Sequence, residues 1–78
     1  MAAMSITEFA RMYQIPHSVV YNASFRVPYD DRRKYDGDYP HDALMTATVA
    51  ELNSRNAFHL SKVEKNSQYL NRLTADTP

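Results

Sequence analysis

The sequence predicts a mostly α-helical fold: two short helices joined by a tight turn, a charged connection able to hold a two-stranded wing, and a long C-terminal helix able to pair as a coiled coil. Three observations predict it. Ser5 and Glu8 form a helix-start signal ahead of an apolar periodicity that stops at Pro16. The stretch from Arg26 to Asp42 is rich in turn residues and holds the chain's only glycine, Gly37. From Asp42 to Leu73 there is neither glycine nor proline, and helix formers dominate. These parts divide the chain into residues 1–45, 46–73 and a tail, 74–78.

The first helix is specified at both ends. Ser5 takes the N-cap position, Glu8 is its reciprocal partner, and Met4 and Phe9 stand where a hydrophobic staple needs them. Ile6, Phe9, Ala10 and Tyr13 follow helical spacing, after which Pro16 stops this helix and suits the opening of the next. The second helix runs from about Pro16 to Ala23, with Val19, Val20 and Ala23 as its buried stripe. Each has about two turns, so neither is stable alone and each must pack or meet a partner.

In the middle part, Asp36-Gly37 lies between Tyr35 and Asp38-Tyr39, and Asp-Gly supplies the positive φ angles of a type I′ hairpin turn. A two-stranded wing and an irregular loop are the two readings of this segment. In the last part Val49, Leu52, Asn56, His59, Val63, Asn66, Leu70 and Leu73 alternate spacings of three and four without a break. A single long helix is expected. Val49, Leu52, Asn56, Val63, Leu70 and Leu73 are the candidate homodimer interface, with Asn56 as a register determinant, while Leu44, Ala47, Ala57 and Leu60 widen the stripe enough for both pairing and core packing. The first half of the helix is expected to pack on the small helices and the second half to seek a partner chain.

Composition narrows the function classes. With 78 residues and no cysteine, one small domain must be held by apolar packing, without disulfides or thiolate metal sites. No leader-like segment opens the chain and no run of about 18 apolar residues occurs, so a cytoplasmic protein without a membrane partner is expected. Nine cations balance nine carboxylates, so attraction to nucleic acid has to be local. His17, His41 and His59 are too dispersed for an i, i+4 metal pair, one glycine cannot build a phosphate loop, and no nucleophile sits beside a base and an orienting group. No metal, no cofactor and no enzymatic activity are expected.

The stretch "SITEFARMYQIPHSVVYNAS" resembles the helix-turn-helix of small winged DNA-binding proteins of the excisionase and MerR-like class. Thr7, Phe9, Ala10, Tyr13, Ile15, Val20 and Tyr21 match that pattern in order, and "YPHDAL" from Tyr39 to Leu44 matches the segment that opens the next helix. The resemblance covers residues 5–45. It implies a winged helix-turn-helix whose second helix reads double-stranded DNA, in a phage- or mobile-element-encoded transcriptional regulator or recombination directionality factor. Two departures stand out. Gln14 occupies a turn position that is usually glycine, where a non-glycine residue at positive φ costs on the order of 1 kcal/mol. The second helix carries no lysine or arginine before Arg26.

Base reading would then fall to His17, Ser18, Tyr21 and Asn22, which point away from the Val20 stripe; Asn suits an adenine edge, and the others suit phosphates or bases. Arg26, Arg32, Arg33 and Lys34 are the candidate phosphate contacts, set against Asp30, Asp31, Asp36 and Asp38 in the same segment. Two other functions share the architecture. One is the DNA-recognition part of a packaging terminase small subunit, and the other is a protein-binding module such as a phage-encoded inhibitor of a host protein. Six tyrosines suit either class.

Overall fold

The computed structural model describes residues 3–28, 38–58 and 60–75. Along the chain these form β1 (Ala3–Met4), α1 (Ile6–Tyr13), α2 (His17–Ser24), β2 (Tyr39–Pro40), α3 (His41–Phe58), a 3-10 turn (Leu60–Lys62) and α4 (Val63–Ala75). The mostly helical class is as the sequence indicates.

Helix α1 starts where its signals place it. Ser5 is the N-cap in extended backbone, its Oγ accepts the Glu8 N–H at 3.1 Å, and its hydroxyl donates to Glu8 Oε1 at 3.2 Å. Met4 and Phe9, the two staple positions, are both buried in the core. β1 pairs antiparallel with β2, Ala3 opposite Pro40 and Met4 opposite Tyr39. This tie fastens the start of the chain to the start of α3. The expected wing turn at Asp36-Gly37 lies outside the described residues, and the strand partner seen for Tyr39 is Met4.

One core joins all four described helices. Phe9, Ala10 and Tyr13 enter it from α1, Val19, Val20 and Ala23 from α2, Leu44, Ala47 and Leu52 from α3, and Leu73 from α4. His41, the first residue of α3, accepts or donates at Nε2 to the Tyr13 hydroxyl at 2.6 Å, and its ring lies 5.8 Å from Phe9. This polar contact locks α1 against α3 beside the core.

The C-terminal part departs from expectation. The single helix anticipated from about Asp42 to Leu73 is two helices, of which α3 begins at His41, close to the anticipated start. α4 folds back, so that Leu52 and Leu73 are fully buried in the chain's own core, and Val49 and Leu70 pack against it partly buried. Asn56, anticipated as a register determinant toward a second chain, accepts a hydrogen bond from Asn66 Nδ2 at 2.9 Å within its own chain. Val63, at the start of α4, is half-buried. The physical reason is that a three-four stripe serves equally for pairing with another chain or for closing an intramolecular hairpin. Placing Leu73 in the same core as Leu52 requires the chain to reverse. Ala57 and Leu60, anticipated as part of the stripe, are exposed at that reversal.

Candidate nucleic-acid interface

The interface is built outward from the turn between α1 and α2. Gln14 adopts the left-handed conformation, φ 55° and ψ 49°, the only non-glycine residue at positive φ among the described residues. Ile15 N–H reaches back to the Ala10 carbonyl at 2.9 Å and Gln14 N–H to Arg11 at 3.3 Å, the bonding pattern of a Schellman motif. Ala10 and Ile15 are both buried beneath it. Arg72 on α4 donates from Nη1 to the Gln14 carbonyl, and its guanidinium lies 5.5 Å from the centre of the Tyr69 ring. Thus the C-terminal helix braces the turn that sets the angle between α1 and α2.

Helix α2 then divides into two faces. Val19, Val20, Ala23 and Ser24 are buried; His17, Ser18, Tyr21 and Asn22 are all exposed. The four residues expected to face outward therefore share one solvent face of a short helix whose other face is anchored. Pro16 precedes the helix without a side-chain cap, so capping of the first turn falls to the backbone, with Val19 N–H on the Pro16 carbonyl at 3.1 Å.

Arg26 follows α2 directly, but its Nε donates to Glu51 Oε1 at 3.2 Å on α3, and Arg55 Nε donates to Glu51 Oε2 at 2.8 Å. One carboxylate thus holds two arginines, leaving a net positive group that ties the end of α2 to α3. Burial pushes the Glu51 carboxyl upward, while the Arg55 and Arg26 hydrogen bonds and charges outweigh it and hold the group below its ordinary range. Arg32, Arg33 and Lys34 lie outside the described residues.

A second basic group is not apparent from the sequence order. Beside the start of α2, a cleft of about 180 Å³ is lined by Pro16, Ser18, Val19, Arg55, Lys62, Lys65, Asn66 and Tyr69. Three cations line it and no carboxylate does. Its signal in the sequence is a charge asymmetry: residues 55–72 carry Arg55, Lys62, Lys65 and Arg72 against Glu64 alone. That asymmetry acquires meaning only once the hairpin brings α4 next to α2. Among the described residues no group of three or more His, Asp or Glu is gathered as a metal site, and no helix is long and apolar enough to cross a membrane.

No family model, no curated protein and no solved structure matches this chain. The chemistry of the exposed faces is therefore the ground for assigning a role.

Proposed function

We propose that this chain is a small sequence-reading protein for double-stranded DNA, a transcriptional regulator or recombination directionality factor of winged helix-turn-helix type, with α2 as the helix that enters the major groove. The observation that carries this reading is the pairing of two surfaces. α2 offers His17, Ser18, Tyr21 and Asn22, hydrogen-bonding side chains without fixed charge, and the cleft with Arg55, Lys62 and Lys65 lies at its first turn. Uncharged polar groups read base edges, and cations beside them hold phosphates. Arg26 contributes charge at the other end of α2, oriented through Glu51, and Arg32, Arg33 and Lys34, from the stretch of sequence that follows, are further candidate phosphate contacts. Leu52 and Leu73 serve the chain's own core, so a homodimer on DNA would pair through a surface other than these two side chains.

The test is titration of random-sequence duplex DNA at low salt, followed by selection of preferred sites and comparison with Asn22→Ala. Specific binding is expected, with Asn22→Ala losing about 1–3 kcal/mol of discrimination at one base pair and keeping non-specific binding. Absence of duplex binding at low salt would overturn the proposal. Phe58 and Leu60, each 79% exposed at the α3–α4 reversal, favour protein contact as the second reading. In that case Phe58→Ser with Leu60→Ser abolishes partner capture and leaves DNA binding unchanged.

A further inference from the structure

The exposed face of α2 carries three rings in register. His17, Tyr21 and Phe25 recur every four residues, the first pair stacked at 6.3 Å and 16° and the second edge-to-face at 5.1 Å and 84°. Tyr21 is 49% and Phe25 65% exposed. They form a continuous aromatic ridge on the side of the helix opposite Val19, Val20 and Ala23. From His17 to Phe25 the ridge is about 12 Å long at the helical rise. That length spans roughly three to four base-pair steps.

What such a ridge can recognise in a major groove is restricted. Every base edge there offers hydrogen-bond donors or acceptors, and only thymine also offers an apolar group, its C5 methyl. Carbon faces pressed against a G·C edge strip water from polar groups and return no hydrogen bond, which is costly. Against thymine the same faces gain a methyl contact. Asn22, adjacent to Tyr21 on the exposed side, carries the amide that fits the N6 and N7 edge of adenine. Both chemistries select A·T pairs. The cleft lined by Arg55, Lys62 and Lys65 at the first turn of α2 favours a polyanion as occupant of this face over an apolar protein surface.

We infer that α2 selects duplex DNA containing successive A·T pairs, with Tyr21 and Phe25 seated against thymine methyl groups and Asn22 on a neighbouring adenine edge. This rests on the DNA-binding reading above and names what that site discriminates. Phe25 becomes a specificity residue, although it lies one position beyond the end of α2.

The test uses the full chain and duplexes selected from a random library, resynthesised with uracil in place of thymine one position at a time. Uracil preserves pairing and every hydrogen-bonding group and removes only the methyl. Losing one buried methyl corresponds to about a fourfold loss of affinity. The expected result is such a loss at one or two positions. Tyr21→Ala and Phe25→Ala are expected to bind the thymine duplex more weakly and each to become indifferent to uracil at one of those positions. Both side chains are exposed, and unchanged melting curves verify that the variants fold. Equal affinity for thymine and uracil duplexes, or selection of G·C-rich sites, overturns the inference and leaves DNA binding standing. Tighter binding to single-stranded oligonucleotides than to duplex also overturns it, because the rings then stack on bases. Absence of binding to every duplex at low salt overturns the DNA reading and this inference together.

Discussion

The α1–α2 unit and the α3–α4 hairpin contain comparable chain reversals made by opposite means. Between α1 and α2 the reversal is written into adjacent residues: the αL backbone of Gln14, the returning N–H of Ile15, and Pro16 opening the next helix. Between α3 and α4 the reversal is held from a distance, by the Asn56–Asn66 hydrogen bond, by Leu73 in the core, and by Arg72 reaching Gln14. The first kind of turn is set by local chemistry and the second by what the flanking helices bury. The candidate interface follows the same division: the local unit exposes one face of α2, and the hairpin supplies both the brace and the cations beside it.

The difference between the two reversals is greatest at Leu73. Leu73→Ala removes a fully buried side chain from the core and is expected to destabilise the protein by about 2–5 kcal/mol in chemical denaturation. Because the residue packs within its own chain, the loss should not depend on protein concentration. A stability that rises with concentration would mean that Leu73 packs across a dimer seam and that the hairpin is not the solution structure.

A smaller effect is expected on the local side. Ser5→Ala deletes the acceptor for the Glu8 N–H and should cost about 0.5–2 kcal/mol, read from the shift in thermal midpoint. Smaller still, Gln14→Gly relieves the left-handed residue and should raise stability by about 0.5–1 kcal/mol, the gain being reduced by the greater freedom of glycine in the unfolded chain. A loss of stability there would show that the freedom of glycine in the unfolded chain outweighs the relief at Gln14, since the carbonyl that Arg72 meets is kept in either case.

The mildest perturbation is pH. The Glu51 carboxyl titrates below its ordinary value of 4.5 in the folded protein, so its contribution to stability is present above that value and is lost as pH falls through the lower folded value. Glu51→Gln should therefore lower stability near neutral pH and flatten this acid-side slope, the two proteins converging as acidity increases. Parallel curves for the two would exclude the Arg26–Glu51–Arg55 link.

What was legible in the sequence follows from range. The cap at Ser5, the position of Gln14 and the outward face of α2 depend on residues within about one turn of one another, and each could be read directly. The break near residue 59 depends on whether Leu52 and Leu73 meet within one chain or across two, and a heptad spacing is the same in both cases. A local sign was available in Ser61-Lys62-Val63-Glu64, which has the Ser-x-x-Glu form of a helix start just where α4 begins. The three polar positions in the heptad were a second sign. Asn66 donates to Asn56 across the hairpin, so two of these polar positions meet within one chain. The cleft beside α2 was hidden for the same reason, since Lys62 and Lys65 join Arg55 near Ser18 only after the chain reverses beyond α3.

If α2 and the hairpin cations act on DNA as one surface, the salt dependence of duplex binding reveals it most directly. Binding of the unmodified chain and of Lys62→Gln with Lys65→Gln would be titrated across a salt series on the same duplex. The affinity of the unmodified chain should fall steeply with salt. For the double variant the slope of log affinity against log salt should shrink by about 0.9 for each phosphate no longer neutralised, close to two units in all. An unchanged slope would contradict the shared surface, because the cleft would then face solvent while α2 alone touched the DNA.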